Sequence, residues 1–474
     1  MNEKRVILSA LVVLMCTNIM QASEWSEKGG SQSWKTGQSS RGPQRSYQEH
    51  QNKFDTHERE RKELGKISII YAAGKGELRT VEDWLNGTIR GSLTPAELLL
   101  LKDKHESTAL TWAAGEGEHK VVELLLNAGE RAGVLRDMLL ASNKDGETAL
   151  TWAASRANLE VVKLLLKAGE KAGVLHYMLQ ASNKDGETAL TWAASRANLE
   201  VVRSLLNAGE KAGVLGDMLL ASTNNRSTAL TWAGKADVVE LLLNAGERAG
   251  VLRNMLQAST NNGSTALTWA ANEGKAEIVG LLLSSARSLH DRTLLWSVAT
   301  HATKEGKTTL MQGSIAVSAS IVREILRAAS ESKPNDAAFA KFINAQDHSI
   351  HEKTGNKRLR TAIHWAIRLG EGSSQGEKKQ HSSQEIRAVI QEILKYNVPN
   401  TPVNITLLDA RGKTPIYWAA YHELKDVLED FEKVARLQKL NRERFFQEIA
   451  SGENDKNIAP ELRYQSSSSS SSNK

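Results

Sequence analysis

NKDGETALTWAASRANLEVV, running from Asn143 to Val162, returns without a change from Asn183 to Val202. Its centre, Thr-Ala-Leu-Thr-Trp-Ala, begins at Thr108, Thr148, Thr188, Thr228 and Thr265, at intervals of 40, 40, 40 and 37 residues. A fixed period of this size marks an array of supersecondary units, because one such unit cannot bury its own apolar surface and must stack on a neighbour. Thr148 is a good N-cap for a short helix through Ala149, Leu150, Ala153 and Ala154. The small alanines let a second helix approach closely. That helix carries Val161, Val162, Leu164, Leu165 and Leu166 at helical spacing. Ala168-Gly169 is expected to end it, with Gly169 in a left-handed C-terminal position. Val174, Leu175, Met178 and Leu179 form a third short amphipathic stretch, and Asn183-Lys184-Asp185-Gly186 closes the unit as a turn.

The pattern extends outward from these copies. Ile69-Ile70-Tyr71-Ala72-Ala73 with Gly76 reads as an opening unit, and Thr308 to Leu326 as a drifted one with Ile321, Val322, Ile325 and Leu326 on its second helix. Further units start at Thr361-Ala362-Ile363-His364-Trp365-Ala366 and at Thr414-Pro415-Ile416-Tyr417-Trp418-Ala419-Ala420, where Pro415 takes the favoured first helical position. Nine units result. The third stretch recurs in divergent form at Thr94–Leu99, which has the letters of a capping box, and at Asn335–Ile343.

This pattern resembles the ankyrin repeat. The family motif is a turn ending in Gly, then Thr-Pro-Leu-His-x-Ala-Ala, then a helix with Val-Val-x-Leu-Leu-Leu and a Gly. Gly146 and Thr148–Ala154 match the first part, and Val161–Leu166 with Gly169 the second. The resemblance implies an all-α, ankyrin-type helical solenoid with an extra short helix per repeat, because the period is about 40 rather than 33. HEAT and armadillo arrays share that period but not those letters. The family His is Thr in the five regular copies, which puts in question the hydrogen bonds that His makes between loops. A polar insert, Glu371–Gln384, separates the helices of the Trp365 unit.

The expected organisation is a signal peptide at 1–22, a disordered linker at 23–66, the solenoid at 67–430, a capping helix at 431–460 and a disordered Ser-rich tail at 461–474. Lys4 and Arg5 precede an apolar stretch from Val6 to Met20 that is short for a membrane span, and Ala22 is a plausible cleavage site. The reading is a secreted or periplasmic protein. The alternative is a membrane anchor, through an uncleaved segment or through Cys16, the only cysteine. Residues 23–66 are polar without an apolar period, and Ser466–Ser472 is low in complexity. From His422 to Ile449, Leu424, Val427, Leu428, Phe431, Val434 and Leu437 recur at helical spacing, as a cap or as a membrane-surface helix.

The formal charge is +6 on 474 residues with both signs plentiful, so the surface reads as mixed and the expected partner is a protein rather than nucleic acid. No catalytic constellation is recognisable. Gly306-Lys307-Thr308 and Gly412-Lys413-Thr414 lack the Gly five residues upstream that a phosphate loop needs, since His301 and Leu407 stand there. His348 and His351 lack metal spacing, and no Gly-x-Ser-x-Gly elbow occurs. No enzyme activity and no cofactor is expected. Sequons stand at Asn86, Asn225, Asn262 and Asn404. The candidate contact residues are Trp112, Trp152, Trp192, Trp232 and Trp269, with Trp365 and Trp418 in register, and the turn tips Lys144, Asp145, Lys184, Asp185, Asn224, Asn225, Asn261 and Asn262. The resemblance implies that the tryptophans edge a concave groove and that the tips project as binding fingers. A purely structural tryptophan ladder and plainly solvated turns are the competing readings. An effector of a host-associated bacterium is the biological analogy, and an envelope scaffold the alternative.

Overall fold

The computed structural model describes residues 69–87, 93–350, 357–367 and 381–440, with Glu443 and Phe445. The expected signal peptide, linker and Ser-rich tail lie outside these residues, as do His351 and most of the polar insert. Among the described residues there are helices and isolated β-bridges but no strand, as an all-α repeat fold requires. No described helix is long and apolar enough to cross a membrane.

Each of the nine repeats opens with a short helix. These are Ile69–Gly74, Ala109–Glu116, Ala149–Ser155, Ala189–Ser195, Ala229–Trp232, Ala266–Asn272, Thr309–Ile315, Ala362–Ile367 and Pro415–Tyr421. A longer second helix follows in each, at Leu78–Leu85, His119–Arg131, Leu159–Lys171, Leu199–Lys211, Ala236–Arg248, Ala276–Ser288, Ala319–Ser332, Ser383–Leu394 and Lys425–Leu437. The first seven repeats add the extra helix, at Pro95–Leu100, Leu135–Leu140, Leu175–Gln180, Leu215–Leu220, Leu252–Gln257, Arg292–Ala299 and Asp336–Ile343.

The chain divides into two compact units, one ending at Met218 and one beginning at Leu219. In the first unit, Ala109–Glu116 packs between Ile69–Gly74 and Ala149–Ser155, and the second helices follow the same order. In the second unit, the first helices from Ala229–Trp232 to Pro415–Tyr421 pack in sequence, as do the second helices from Ala236–Arg248 to Lys425–Leu437. The core of each unit is therefore a seam that runs from repeat to repeat. Leu150, Val161, Val162 and Leu165 are at most 1% exposed, and Met178 and Leu179 close the third side. Burial of one such side chain contributes about 1.5–3 kcal/mol, and here the covering surface belongs to the next repeat. Polar ties fix the register. In the first unit the Asn158 side chain donates to the carbonyls of Ala114 and Gly115, both at 3.0 Å.

Local chemistry explains the helix limits. Thr148 Oγ1 accepts from Thr151 N–H at 3.3 Å, and Thr151 Oγ1 accepts from Thr148 N–H at 2.7 Å, a capping box made of two threonines. Thr94 and Glu97 form the box read from their letters. The end of the second helix departs from expectation. Gly169 does not terminate Leu159–Lys171 but lies inside it. A Cβ there would stand 2.4 Å from Met178 Sδ, so Gly169 is small because the third helix crosses at that point. The left-handed residue is Gly173, at φ 67°. Gly173 N–H reaches Glu170 O at 3.2 Å and Val174 N–H reaches Gly169 O at 3.0 Å, the paired bonds of a Schellman cap.

Two further boundaries move. Lys425–Leu437 is a single helix, the second of the ninth repeat, so the expected division at 430/431 falls inside it. Its buried face is Val427, Leu428, Phe431 and Val434, whereas Leu437 is 75% exposed. The polar insert also ends earlier than expected, because Ser382 caps a helix that already includes Ser383 and Gln384.

Charge closes the last interface. Arg387 Nε donates to Asp430 Oδ2 at 2.8 Å, and Gln391 reaches the same oxygen at 2.9 Å. The Arg387 guanidinium holds the Asp430 carboxyl down to about 2, against the opposing effect of burial and with help from Gln391 and Lys433. A depressed carboxylate contributes stability above its unfolded value of 3.8 and loses it as pH falls toward 2. Asp430→Asn is expected to cost about 2 kcal/mol at neutral pH and to flatten the stability curve between about pH 4 and 2; urea titrations across that range check it. Backbone strain gives a second test. Ala157 and Ala197 stand at φ 60° and 53°, where the second and sixth repeats have Gly117 and Gly274. Ala157→Gly with Ala197→Gly is expected to raise stability by about 0.5–1 kcal/mol per site, read as a higher thermal midpoint.

Candidate functional site

The turn between repeats is assembled from one side chain. Asn143 Oδ1 accepts from the N–H groups of Asp145 and Glu147, at 3.0 and 2.9 Å, and Asn143 Nδ2 donates to Glu147 Oε2 at 2.9 Å. Asn183 makes the same three bonds with Asp185 and Glu187. A bridge from Ser142 to Thr148 closes the base. Gly146 sits at φ 83°, and a Cβ there would come within 3.1 Å of Asn183 Cα, so the turn needs glycine both for its conformation and for the approach of the next turn.

Successive turns are joined by backbone. In the first unit Lys144 N–H donates to His105 O and Lys184 N–H to Asp145 O, both at 2.8 Å. In the second unit Asn261 N–H reaches Asn225 O and Lys304 N–H reaches Asn262 O, both at 2.9 Å. These bonds hold a row of side chains at the edge of each unit. Lys144, Lys184 and Asp185 are exposed in the first unit and Asn224, Asn225, Asn261 and Asn262 in the second, while Asp145 is half-buried. Asn262 bends its carbonyl oxygen back to Thr260 Oγ1 and to Ser264 N–H.

The tryptophans lie behind the turns. Trp112 and Trp192 are buried, at 2% and 4% exposure, and Trp152, Trp232 and Trp269 are half-buried. In the first unit the Trp112 and Trp152 rings meet at 5.7 Å between centroids and 57° between planes. Trp152 covers Gly115 of the preceding repeat so closely that a Cβ there would lie 2.5 Å from its ring. The indole N–H is tied to an acid of the turn. Trp152 Nε1 donates to Glu147 Oε2 at 2.8 Å, Trp112 Nε1 to Asp103 Oδ2 at 2.8 Å, and Trp418 Nε1 to Asp409 Oδ2 at 3.1 Å. Trp112 and Trp152 thus serve first as rungs that lock each turn to its helix.

The acids Asp103, Glu147, Glu187 and Asp409 were not among the residues picked out from the sequence. Their signal is positional: an Asp nine residues before the Trp, or a Glu five before it, with Asn at the vacated position. Asp103 and Asp409 do both tasks, one oxygen accepting the turn amides and the other the indole.

Replacing the motif His by Thr changes the linkage between turns. His364 spans from Thr361 Oγ1, at 2.9 Å, to Lys413 O of the next turn, at 3.2 Å. Thr151 is too short for that and bonds only to Thr148. The backbone bond from one turn to the next is the tie that remains there. Gly306-Lys307-Thr308 and Gly412-Lys413-Thr414 are repeat turns, with Thr308 and Thr414 capping the helices that follow. Among the described residues no group of His, Cys, Asp and Glu could hold a metal ion. What the surface offers is a row of rigidly spaced polar tips backed by aromatic edges.

Models of ankyrin repeats match residues 69–175, 170–252 and 262–294. Among solved structures, the ankyrin repeat domain of Bcl-3, described as a unique member of the IkappaB protein family, is 25% identical. The match covers 56% of this chain and 99% of that one, with a TM-score of 0.42. An ankyrin repeat domain from Acinetobacter baumannii AYE is 26% identical over 46% of this chain and 96% of its own, with a TM-score of 0.36. The comparison with curated proteins gives no match.

The indole–acid tie is measurable. Glu147→Ala leaves the Trp152 N–H and Asn143 Nδ2 without their acceptor and is expected to cost about 1–3 kcal/mol. A double-mutant cycle with Trp152→Phe in urea unfolding should return a coupling of about 1 kcal/mol; additive losses would show that the two groups do not interact.

Proposed function

The chain belongs to the ankyrin-repeat family, and on that premise we propose that it is an exported protein whose work is to bind another protein along its turn tips and first helices. The observation that carries this reading is the row of exposed tips held in register by backbone hydrogen bonds, from Lys144 to Lys184 in the first unit and from Asn225 to Lys304 in the second. A surface fixed in this way loses little conformational entropy on association, which favours recognition. A typical interface buries about 800 Å² on each partner, an area that three or four repeats offer. Polar tips for specificity and aromatic edges for contact area are the composition such interfaces use.

Export rests on Lys4, Arg5 and the apolar stretch from Val6 to Met20, ahead of Ala22. Together with an array of protein-binding repeats it supports an effector role in a host-associated bacterium. An envelope-anchored scaffold is the second reading, favoured by Cys16 inside that apolar stretch. We assign no catalytic, cofactor or nucleic-acid role to the repeats.

Two measurements decide between these readings. N-terminal sequencing of the mature protein is expected to start near Ser23, and a chain that retains Cys16 supports the anchored scaffold instead. Affinity capture with the full chain is expected to yield a saturable protein partner. Lys144→Glu with Lys184→Glu should weaken that capture by about tenfold or more while leaving the thermal midpoint unchanged. Capture that is indifferent to this pair would move the contact away from the first unit's tips.

A further inference from the structure

The repeats carry their own comparison, because the turns descend from one sequence and differ at a few positions. Asn143–Glu147 and Asn183–Glu187 each hold one lysine against two acids. Thr223–Ser227 holds a single arginine and no acid, Thr260–Ser264 no charge at all, and Thr303–Lys307 two lysines against one glutamate. The net charge of the turn therefore passes from −1 in the third and fourth repeats to +1, 0 and +1 in the next three.

The lost acid is the one that binds tryptophan. Ser227 and Ser264 stand where Glu147 stands, five residues before the tryptophan. The consequence is visible at the rings. Among the described residues neither the Trp232 nor the Trp269 indole N–H has a hydrogen-bond acceptor, and neither nitrogen is sealed from solvent. The fifth repeat is opened further. Its first helix stops at Trp232, and the following Ala233 is extended. Gly234 and Lys235 are exposed, with open space around Gly234. The second unit thus presents two half-buried aromatic edges, each with a spare donor among the described residues, with Arg226 on the turn of the fifth repeat and Lys304 on the turn of the seventh. Lys304 is held there by its N–H to Asn262 O, at 2.9 Å.

We propose that Trp232 and Trp269 are the recognition residues of the second unit for an acidic peptide segment of a partner protein. An Asp or Glu carboxylate of the partner accepts each indole N–H and takes the place that Glu147 fills in the third repeat. The site's chemistry is thereby defined by the chain itself: the bond from Trp152 to Glu147, at 2.8 Å, is the bond the partner supplies. Arg226 and Lys304 add the attraction that a second acidic residue meets, and the aromatic edges cover the apolar side chains between the acids. This inference rests on the protein-binding reading and narrows it to a ligand class and to named residues.

The test is fluorescence anisotropy of the full chain with a labelled decapeptide of alternating Glu and Leu. A Gln–Leu decapeptide and a ten-nucleotide oligo-dT serve as the comparison probes. Ser227→Glu with Ser264→Glu supplies the carboxylates in cis, at positions as buried as Glu147 and Glu187 are in their own repeats. That pair is expected to weaken the Glu–Leu peptide by about tenfold with no loss of thermal stability. Trp232→Phe with Trp269→Phe keeps the rings, removes the donors and should weaken it by about fivefold. Binding should also fall with added salt. The assignment is overturned if the Gln–Leu peptide binds as well as the Glu–Leu peptide, if both variant pairs bind like the parent chain, or if oligo-dT binds more tightly. Any of these leaves the broader reading standing when affinity capture still yields a protein partner, whereas failure of the capture removes both.

Discussion

Every repeat depends on its neighbour to cover an apolar face that it cannot cover itself. Val161, Val162 and Leu165 are buried on a helix that packs between the second helices of the adjoining repeats. Stability is then a sum of repeat and interface contributions, each of a few kcal/mol, and not the property of one central core. Two features follow. The sequence must repeat, because the surface that one unit presents has to match what the last unit presented. The volume at the contact also has to be kept small in places, which is why Gly115 faces Trp152 of the next repeat, as Gly169 faces Met178 within its own.

Polar atoms then set the register along this seam. In the third repeat the turn amides bond to Asn143, the Trp152 indole N–H bonds to Glu147, and the Lys144 N–H bonds to the carbonyl of His105 on the turn before. None of these groups could be left unpaired in a buried turn without a cost of about 1–3 kcal/mol. The tips are exposed while the backbone below them is fixed, so their side chains are spaced by the repeat and vary from turn to turn.

Variation is concentrated where packing permits it. The third repeat keeps Asn143, Glu147 and Trp152 as one bonded set, and the fourth keeps Asn183 bonded to Glu187. The fifth and sixth keep the ring and give up the acid, so the ring stays half-buried against its neighbours while its donor is released. At Ser227 and Ser264 the turn amide finds Thr223 Oγ1 or Thr260 Oγ1 instead of an Asn, and after Ser264 the helix cap is carried by Thr265. The later repeats diverge further but hold on through charge, as with Arg323 on Glu392 at 2.7 Å and Arg387 on Asp430 at 2.8 Å.

The nine helix pairs, their N-caps and the extra third helix were legible in the residues, since a threonine before a small apolar run and a Val-Val-x-Leu-Leu-Leu face have few other uses. The turn tips were legible for the same reason, as Asn-Lys-Asp-Gly has one local conformation. The roles of individual residues at contacts were not. Gly169 reads as a helix end, and only the crossing of the third helix shows that Met178 requires it. The tryptophans read as one uniform row. The acid that ties Trp112, Trp152 or Trp418 stands five or nine residues before it, a signal that gained meaning only once the indole N–H was placed. The ring of Trp152, by contrast, meets Trp112 and Gly115 of the preceding repeat only through stacking. Local sequence fixes backbone conformation through short-range sterics and hydrogen bonds. Which atoms meet across a repeat interface is decided by packing between segments some forty residues apart, and no local pattern encodes that distance.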